Sequence, residues 1–102
     1  MKLYVDLAGK RIRVSREPEE EPDEYGGGQS MWTTQVYVQD ESGGEVITVA
    51  TTGKKPDVTV DAMVVPVALE VLPWCRIGNG HHRSGIAYRA RELTPPGRVT
   101  VA

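Results

Sequence analysis

Apolar and polar residues alternate along most of this chain, and the alternation predicts strands rather than helices. In "MWTTQVYVQ", Trp32, Val36 and Val38 alternate with polar or amphipathic residues. The run "EVITVATT" at 45–52 is rich in β-branched residues, and "DESGG" at 40–44 supplies turn-forming residues between the two runs. Together these segments predict a β-hairpin. No segment has the periodicity of an amphipathic helix.

The N-terminal segment predicts short strands with an interruption. Leu3, Val5 and Leu7 share one parity. Ile12 and Val14 share the opposite parity. Because a regular strand keeps its parity, the change across "AGK" indicates a bulge or a tight turn within or between strands.

The segment 58–74 predicts a fourth strand that ends at Trp74. Its apolar residues of one parity are Met63, Val65, Val67, Leu69 and Val71. Pro66 lacks an N–H group, so it has to occupy a bulge or an edge position. A turn or a short helix near 57–62 is an alternative for the start of this segment.

The expected architecture is all-β. A polar loop, "RIGNGHHRSG", is expected after Trp74, and "IAYRAREL" predicts a fifth strand at 86–92. Five strands with long loops after the first and the fourth fit a five-stranded Greek-key barrel of the OB type. The length of 102 residues suits one domain. We expect a single OB-like domain at 1–95, with a mobile acidic and glycine-rich loop at 17–30, and a flexible tail at 96–102.

Negative charge is concentrated in one short segment. The formal net charge is −2, and "EPEEEPDE" at 17–24 holds six of the 14 carboxylates. The rest of the chain has 12 basic and eight acidic side chains, which makes it mildly basic. Three roles stay open for the acidic segment: a solubilising insertion, a nucleic-acid mimic that shields a basic face, or a docking loop at 17–28 for a basic protein partner.

The chemistry of the run "WCRIGNGHHRSGIAYRAR" points to a polyanion. It contains four arginines, two histidines, a tryptophan and a tyrosine, and it lacks a carboxylate. Guanidinium groups bind phosphate oxygens, and aromatic rings stack on bases. Other rings and cations are expected on the same surface. The predicted nucleic-acid contacts are Trp32, Tyr37, Trp74, Arg76, His81, His82, Arg83, Arg89, Arg91, Arg11, Arg13, Lys54 and Lys55.

Within this set, four residues are expected on the loop between the fourth and fifth strands: Arg76, His81, His82 and Arg83. Arg89 and Arg91 are expected to share one strand face, although a purely solvated face is the alternative. Trp32 and Tyr37 differ by five positions, so they point to opposite faces of a regular strand. Trp74 is equally suited to core packing and to stacking on a base. Lys54 and Lys55 also fit a solvated turn.

Metal binding and catalysis are not expected. Cys75, His81 and His82 are too few for a structural zinc site, which takes four ligands in recurring spacings. Ser84 lies in no "GxSxG" motif, and the glycine runs match no phosphate-binding or dinucleotide-binding motif. We therefore expect no metal, no cofactor and no enzymatic activity. A single cysteine excludes an internal disulfide, and no long apolar stretch is present. A cytoplasmic protein without a membrane association is expected.

The order of features resembles small proteins encoded on actinobacterial plasmids, integrative conjugative elements and phages. Those proteins end in a β-rich segment with a "PW" pair, a short polar loop and an apolar-Gly-apolar run leading to "RA". The matching elements here are "VLPW" at 71–74 and "SGIAYRARELTP" at 84–95, and the resemblance extends over roughly 32–95. It implies an OB-like fold and a role at single-stranded DNA during replication or conjugative transfer of the element. The acidic insertion departs from an ordinary single-strand binder.

The sequence therefore predicts a non-catalytic protein that binds single-stranded nucleic acid. DNA is the expected ligand, and RNA stays open. A first alternative is a protein-interaction module of a replication or conjugation complex, without contact to nucleic acid. A second is a barrel that binds a sugar or another small molecule. The oligomeric state stays open, with a homodimer among the alternatives.

Overall fold

A computed structural model of the chain describes residues 2–21, 29–78 and 80–96, and it leaves out the side chains of 74–78 and 81–84. Within these ranges the fold is all-β, as predicted, and no helix is present that could span a membrane. The strands of the described ranges are β1 (Leu3–Tyr4), β2 (Arg11–Val14), β3 (Glu19–Glu21), β4 (Met31–Asp40), β5 (Gly43–Thr52), β6 (Val65–Val67), β7 (Glu70–Gly78), β8 (His81–Arg89) and β9 (Glu92–Thr94).

Seven of these strands form one sheet that curls into a half-barrel. The order is β1-β7-β8-β5-β4-β2, β3 also pairs with β4, and β6 pairs with β9 separately. The β5–β8 pair is parallel, with Val49 opposite Tyr88, and the other strand pairs are antiparallel. Because β1 and β2 lie at opposite ends of this order, one short stretch of chain supplies both ends of the sheet.

A tight turn separates β1 from β2, in agreement with the predicted interruption at "AGK". The Lys10 N–H donates a hydrogen bond to the Leu7 carbonyl over 3.1 Å. Gly9 has a φ of 74°, a left-handed conformation that costs glycine little and other residues more. The turn therefore explains the parity change seen in the sequence.

The β4–β5 hairpin confirms the strongest sequence prediction. Its connection is Glu41–Ser42, and the strands pair from Met31 opposite Thr52 to Asp40 opposite Gly43. The Asp40 carboxylate accepts hydrogen bonds from the Ser42 N–H at 2.9 Å and from the Ser42 hydroxyl at 2.6 Å. An aspartate that binds its own turn in this way favours the bend.

The β7–β8 hairpin corrects the predicted fourth and fifth strands. The fourth strand does not end at Trp74, because β7 continues to Gly78 and pairs with β8 as far as Gly78 opposite His81. The predicted polar loop is therefore two paired strands. The physical reason is visible in the sequence, since an Asn-Gly dipeptide is typical of two-residue hairpin turns. Gly80 has the positive φ, 76°, that such turns require.

The segment before β7 also differs from the predicted single strand. Val64 and Pro66 are buried whereas Val65 is exposed, which is the opposite parity to the prediction. Ala68 adopts a φ of 54°, and this bend separates β6 from β7. Pro66 lies in a two-stranded sheet, in which every strand is an edge, so the predicted edge position is confirmed.

The predicted loop at 17–30 contains the strand β3. Glu19 pairs with Thr33 and Glu21 pairs with Met31, so the acidic residues 19–21 extend the main sheet. β2 and β3 pair with different halves of the same edge of β4, because β5 occupies the other edge along its whole length. Residues 22–28 of the predicted loop and residues 97–102 of the predicted tail lie outside the described residues.

The core is small and rich in β-branched residues, as the composition predicts. It lies on the inner face of the curled sheet, and its residues are Ile12, Val14, Val36, Ile47, Val49, Val64, Leu69, Ala90 and Leu93. Burial of each valine, leucine or isoleucine side chain contributes about 1.5–3 kcal/mol. Since strand residues alternate between faces, the outer face of β2, β4 and β5 is left to solvent.

Candidate functional site

An aromatic ring lies beside two arginines on the outer face of the sheet. Arg11 and Arg13 are exposed and alternate with the buried Ile12 and Val14. Arg13 lies directly opposite Tyr37, whose side chain is 38% exposed. Side chains at such opposed positions have Cβ atoms about 5 Å apart. We call Arg11, Arg13 and Tyr37 the basic row.

Gly44 gives the Tyr37 ring its place on the sheet. A Cβ atom added at Gly44 would overlap the hydroxyl and ring carbons of Tyr37. The ring therefore lies across β5 over a position that has no side chain. Sequence reasoning assigned Gly44 to the hairpin turn and missed this contact, although a glycine inside a strand is a known signal of close approach.

The β4–β5 turn brings a carboxylate near the basic row, and Lys10 neutralises it. The Lys10 ammonium lies 2.9 Å from an Asp40 carboxylate oxygen. The Ser42 hydroxyl and Lys10 hold the pKa of the Asp40 carboxyl well below its usual range. Asp40 in turn raises the pKa of Lys10. Gly9, Arg11 and Gln39 line a cavity of about 270 Å³ here, together with Asp40 and Glu41.

The edge of β4 is basic at one end and acidic at the other. β2 carries Arg11 and Arg13 against the second half of β4, and β3 carries three glutamates against the first half. The Thr33 hydroxyl donates to Glu21 over 3.1 Å, and the Ser30 hydroxyl donates to Glu20 over 3.4 Å. Glu19 and Glu21 lie on the face of Tyr37, and Glu20 lies on the opposite face. A polyanion on the outer face would therefore be attracted to the half of the edge that carries the arginines and repelled by the half that carries Glu19 and Glu21.

Trp32 and Tyr37 occupy opposite faces of β4, as their spacing predicts. Trp32 has the parity of the buried Thr34 and is half-buried. Its indole N–H donates to the Gly53 carbonyl over 3.1 Å, and the Lys55 ammonium lies 5.8 Å from the ring centroid. Tyr37 is therefore the more exposed platform of the two.

Arg89 and Arg91 do not share a strand face, which corrects the prediction. Arg89 is the last residue of β8, and Arg91 lies between β8 and β9. The Arg89 guanidinium donates to one Glu70 oxygen at 2.7 and 3.3 Å, and Glu70 is buried. Arg91 instead borders a cavity of about 430 Å³ together with Lys54 and Lys55.

Five predicted site residues lie on a two-stranded projection of the sheet. We call residues 72–78 and 81–87 the β7–β8 arm, because their strand pairing within the described residues is with each other alone. The predicted residues are Trp74, Arg76, His81, His82 and Arg83. Arg76 lies opposite Arg83 in the ladder, and His81 lies opposite Gly78. Their side chains are outside the described residues.

The arm points toward the end of the sheet that carries the basic row. β8 runs parallel to β5, so the residues before Tyr88 extend in the same direction as those before Val49. That direction leads to the β4–β5 turn and to Arg11, which lies opposite Gln39. The backbone therefore brings the arm and the basic row to the same end of the molecule.

Two further observations concern chemistry and similarity. Among the residues that the structure describes, no three histidine, cysteine, aspartate or glutamate side chains are grouped to hold a metal ion. No protein-family model, curated protein or solved structure matches the chain.

Proposed function

We propose that this chain is a non-catalytic protein that binds single-stranded nucleic acid, with DNA as the expected ligand, on an OB-type barrel. The observation that carries the proposal is the basic row: an exposed ring, seated over a glycine and flanked by two arginines. Base stacking on such a ring is worth about 1–3 kcal/mol per base, and the arginines supply phosphate contacts.

The order of the strands supports the OB assignment. Residues 3–14, which contain β1 and β2, can be counted as one bent strand. The main sheet then has five strands apart from β3: the bent strand, β4, β5, β7 and β8. The bent strand stands at both ends of the strand order. This arrangement supports closure of the sheet into a barrel, because the bent strand pairs at one end with β4 and at the other with β7. OB barrels bind oligonucleotides on the face of their second and third strands, which correspond to β4 and β5.

The β7–β8 arm supports the same ligand. In an OB barrel the connection between the fourth and fifth strands is one of the binding loops, and here that connection is the tip of the arm. Arg76 and Arg83 occupy opposed ladder positions. Both positions carry arginine, a residue type that binds phosphate. We propose that a strand of nucleic acid runs between the arm and the basic row.

The test is oligonucleotide affinity measured by fluorescence anisotropy with a labelled oligothymidine. We expect Tyr37→Leu to weaken binding about tenfold, the loss typical of one stacked base. Arg13→Gln should weaken binding and reduce the salt slope by about 0.7, the value for one phosphate contact.

The matched controls are Tyr4→Leu and Lys2→Gln, which remove an exposed ring and a cation. Both residues lie at β1, which stands at the opposite end of the strand order from β2. Both should bind like the wild type. Failure of the wild-type protein to bind oligothymidine at low salt would overturn the proposal, as would equal losses in the variants and the controls.

A second candidate function is a protein-interaction module, and the exposed acidic strand favours it. Glu19 and Glu20 are exposed on a paired strand, where they present fixed negative charge to a basic partner. We propose a replication or conjugative-transfer complex as the setting of either function. Deletion of 17–28 discriminates the two, because loss of a partner with unchanged DNA affinity indicates a separate docking segment.

A further inference from the structure

A second cationic site lies far from the basic row, at the end of β5. A cavity of about 430 Å³ opens beside the end of β5, between the connection at 53–57 and β9. Thr51 and Thr52 line it, whereas Tyr37 lies opposite Val46. Thr51 is five positions after Val46 in β5, so the two residues lie about 17 Å apart along the strand. We call this cavity the β5-end cleft.

The charges around the cleft favour the binding of an anion. Lys54, Lys55 and Arg91 line it and are exposed, and none of them forms an ion pair with any residue the structure describes. Two carboxylates, Asp57 and Glu92, also line the cleft, so the cations exceed the carboxylates by one. Lys55 lies over the Trp32 ring but pairs with no described carboxylate. Cations that border a concave surface without a carboxylate partner are typical of phosphate recognition.

A buried hydroxyl adds a neutral hydrogen-bonding group. Thr51 is 3% exposed and contributes to the lining, and its Oγ1 has no hydrogen-bond partner within the described ranges. Buried hydroxyl groups normally have a partner, since water is excluded from them. A ligand oxygen at the base of the cleft would supply one.

The rest of the lining suits the body of a small molecule. Pro56, Leu93 and Pro95 form apolar wall next to the cations. The volume lies within the range of small-molecule sites, about 300–1,000 Å³, and it exceeds what a single inorganic ion needs. We infer that the β5-end cleft binds a phosphate-bearing ligand of nucleotide size, with the phosphate at Lys54 and Arg91. The inference does not depend on oligonucleotide binding by the basic row.

The experiment measures binding of AMP and adenosine to the full chain by calorimetry at low salt. We expect AMP to bind saturably and adenosine to bind about tenfold more weakly, because the phosphate supplies the charge-assisted contacts. Lys54→Gln and Arg91→Gln should each weaken AMP binding by about fivefold to tenfold. Thr51→Val, which keeps the shape and removes the hydroxyl, should weaken it a few-fold and leave the fold intact.

The controls separate this site from the basic row. Tyr37→Leu and Arg13→Gln should leave AMP affinity unchanged, although they weaken oligonucleotide binding. Absence of saturable AMP binding by the wild type would overturn the inference. Equal affinity for AMP and adenosine would do the same, as would unchanged AMP affinity in folded Lys54→Gln and Arg91→Gln variants.

A second arm identifies the source of the phosphate. Oligothymidine with and without a 5′-phosphate is used to displace AMP. Stronger displacement by the phosphorylated strand supports the end of a nucleic-acid strand as the occupant. Equal displacement by both strands supports an internal phosphate of a strand as the occupant. No displacement by either strand, with AMP binding retained, supports a free nucleotide.

Discussion

The absence of a side chain at Gly44 determines where the Tyr37 ring lies on the outer face of the sheet. The ring lies over Gly44, and any side chain at that position would meet the ring. The atoms that would be displaced are at the far end of a flexible side chain, so the backbone need not move. The contact therefore affects the position of the ring more than the stability of the sheet.

We predict that Gly44→Ala weakens oligonucleotide binding several-fold while changing the free energy of unfolding by less than about 1 kcal/mol. The physical reason is the displaced Tyr37 ring. Anisotropy titration and chemical denaturation measure the two effects. In a Tyr37→Leu background the same substitution should have no further effect on affinity, and an additive loss would contradict the mechanism.

Asp40 makes a prediction about pH. Its folded-state pKa lies below the ordinary value of 3.8, because the Ser42 hydroxyl and Lys10 bind the carboxylate. The ionised form is therefore favoured by folding, and its contribution to stability is present above about pH 4 and is lost as the pH falls further. An NMR titration of the Asp40 carboxyl should show ionisation persisting below its usual range.

Ser42→Ala tests the cause of this pKa shift. The substitution removes the hydroxyl that binds Asp40 over 2.6 Å, so the pKa of Asp40 should rise toward its ordinary value. Lys10→Gln should raise it as well, through loss of the ion pair. An Asp40 carboxyl that titrates at its ordinary value in the wild type would contradict the contacts.

Among the elements, β3 has the least expected position. It brings Glu19, Glu20 and Glu21 onto the same edge of β4 as the basic strand β2. If the basic row binds nucleic acid as proposed, negative charge beside it lowers the affinity without occupying the site. The acidic segment is thus part of the electrostatics of the sheet face.

We predict that replacing Glu19, Glu20 and Glu21 together with glutamine tightens oligonucleotide binding several-fold at low salt. Glutamine keeps an acceptor oxygen for Thr33 and Ser30, so β3 should remain paired. The gain should shrink at 0.15 M salt, where the screening length is about 8 Å. A gain that is the same at both salt concentrations would indicate a change in structure rather than in charge.

The two long hairpins show what the sequence does and does not reveal about elements. Alternation and the turn residues at 40–44 were sufficient for β4–β5. The β7–β8 hairpin was missed because its polar composition suggested a loop, although its Asn-Gly turn was present in the sequence. The parity error near Val65 has a different cause. Ala68 adopts a positive φ, and nothing about an alanine signals that conformation.

The site was partly predictable for the same reasons. Exposure of Arg11 and Arg13 follows from alternation within β2. The pairing of Arg13 with Tyr37 depends on the register of strands that are more than twenty residues apart, which local pattern does not determine. The engagement of Arg89 by Glu70 is likewise a long-range contact. Residue types were therefore predictable, and their partners were not.

At the scale of the whole molecule, a net charge of −2 conceals separated regions of opposite sign. The basic row and the arm lie at one end of the sheet, the glutamates of β3 lie toward the other end of β4, and Lys54 and Lys55 follow β5. Net charge is consequently a poor guide to the ligands of this protein. Local potential decides which surface a polyanion reaches.

We predict a strong dependence of oligonucleotide binding on salt in spite of the negative net charge. If Arg11, Arg13, Arg76 and Arg83 each engage one phosphate, the logarithm of the binding constant should fall with log salt at a slope of about −3. Titrations between 50 and 300 mM salt, a range of about sixfold, measure the slope. A slope near zero would mean that the bound surface is not the cationic one.

The position of β1 and β2 at opposite ends of the sheet also affects the order in which the strands can pair during folding. β2 pairs with β4, which follows it closely in the sequence. β1 pairs with Glu70 and Val71 in β7, and β5 pairs with Tyr88 and Arg89 in β8, so both contacts span long stretches of sequence. During synthesis, β1 therefore stays unpaired until Glu70 and Val71 have been added to the chain. Contacts that span so much of the sequence slow the search for the native state. The sheet is therefore expected to form late in folding, in one cooperative step.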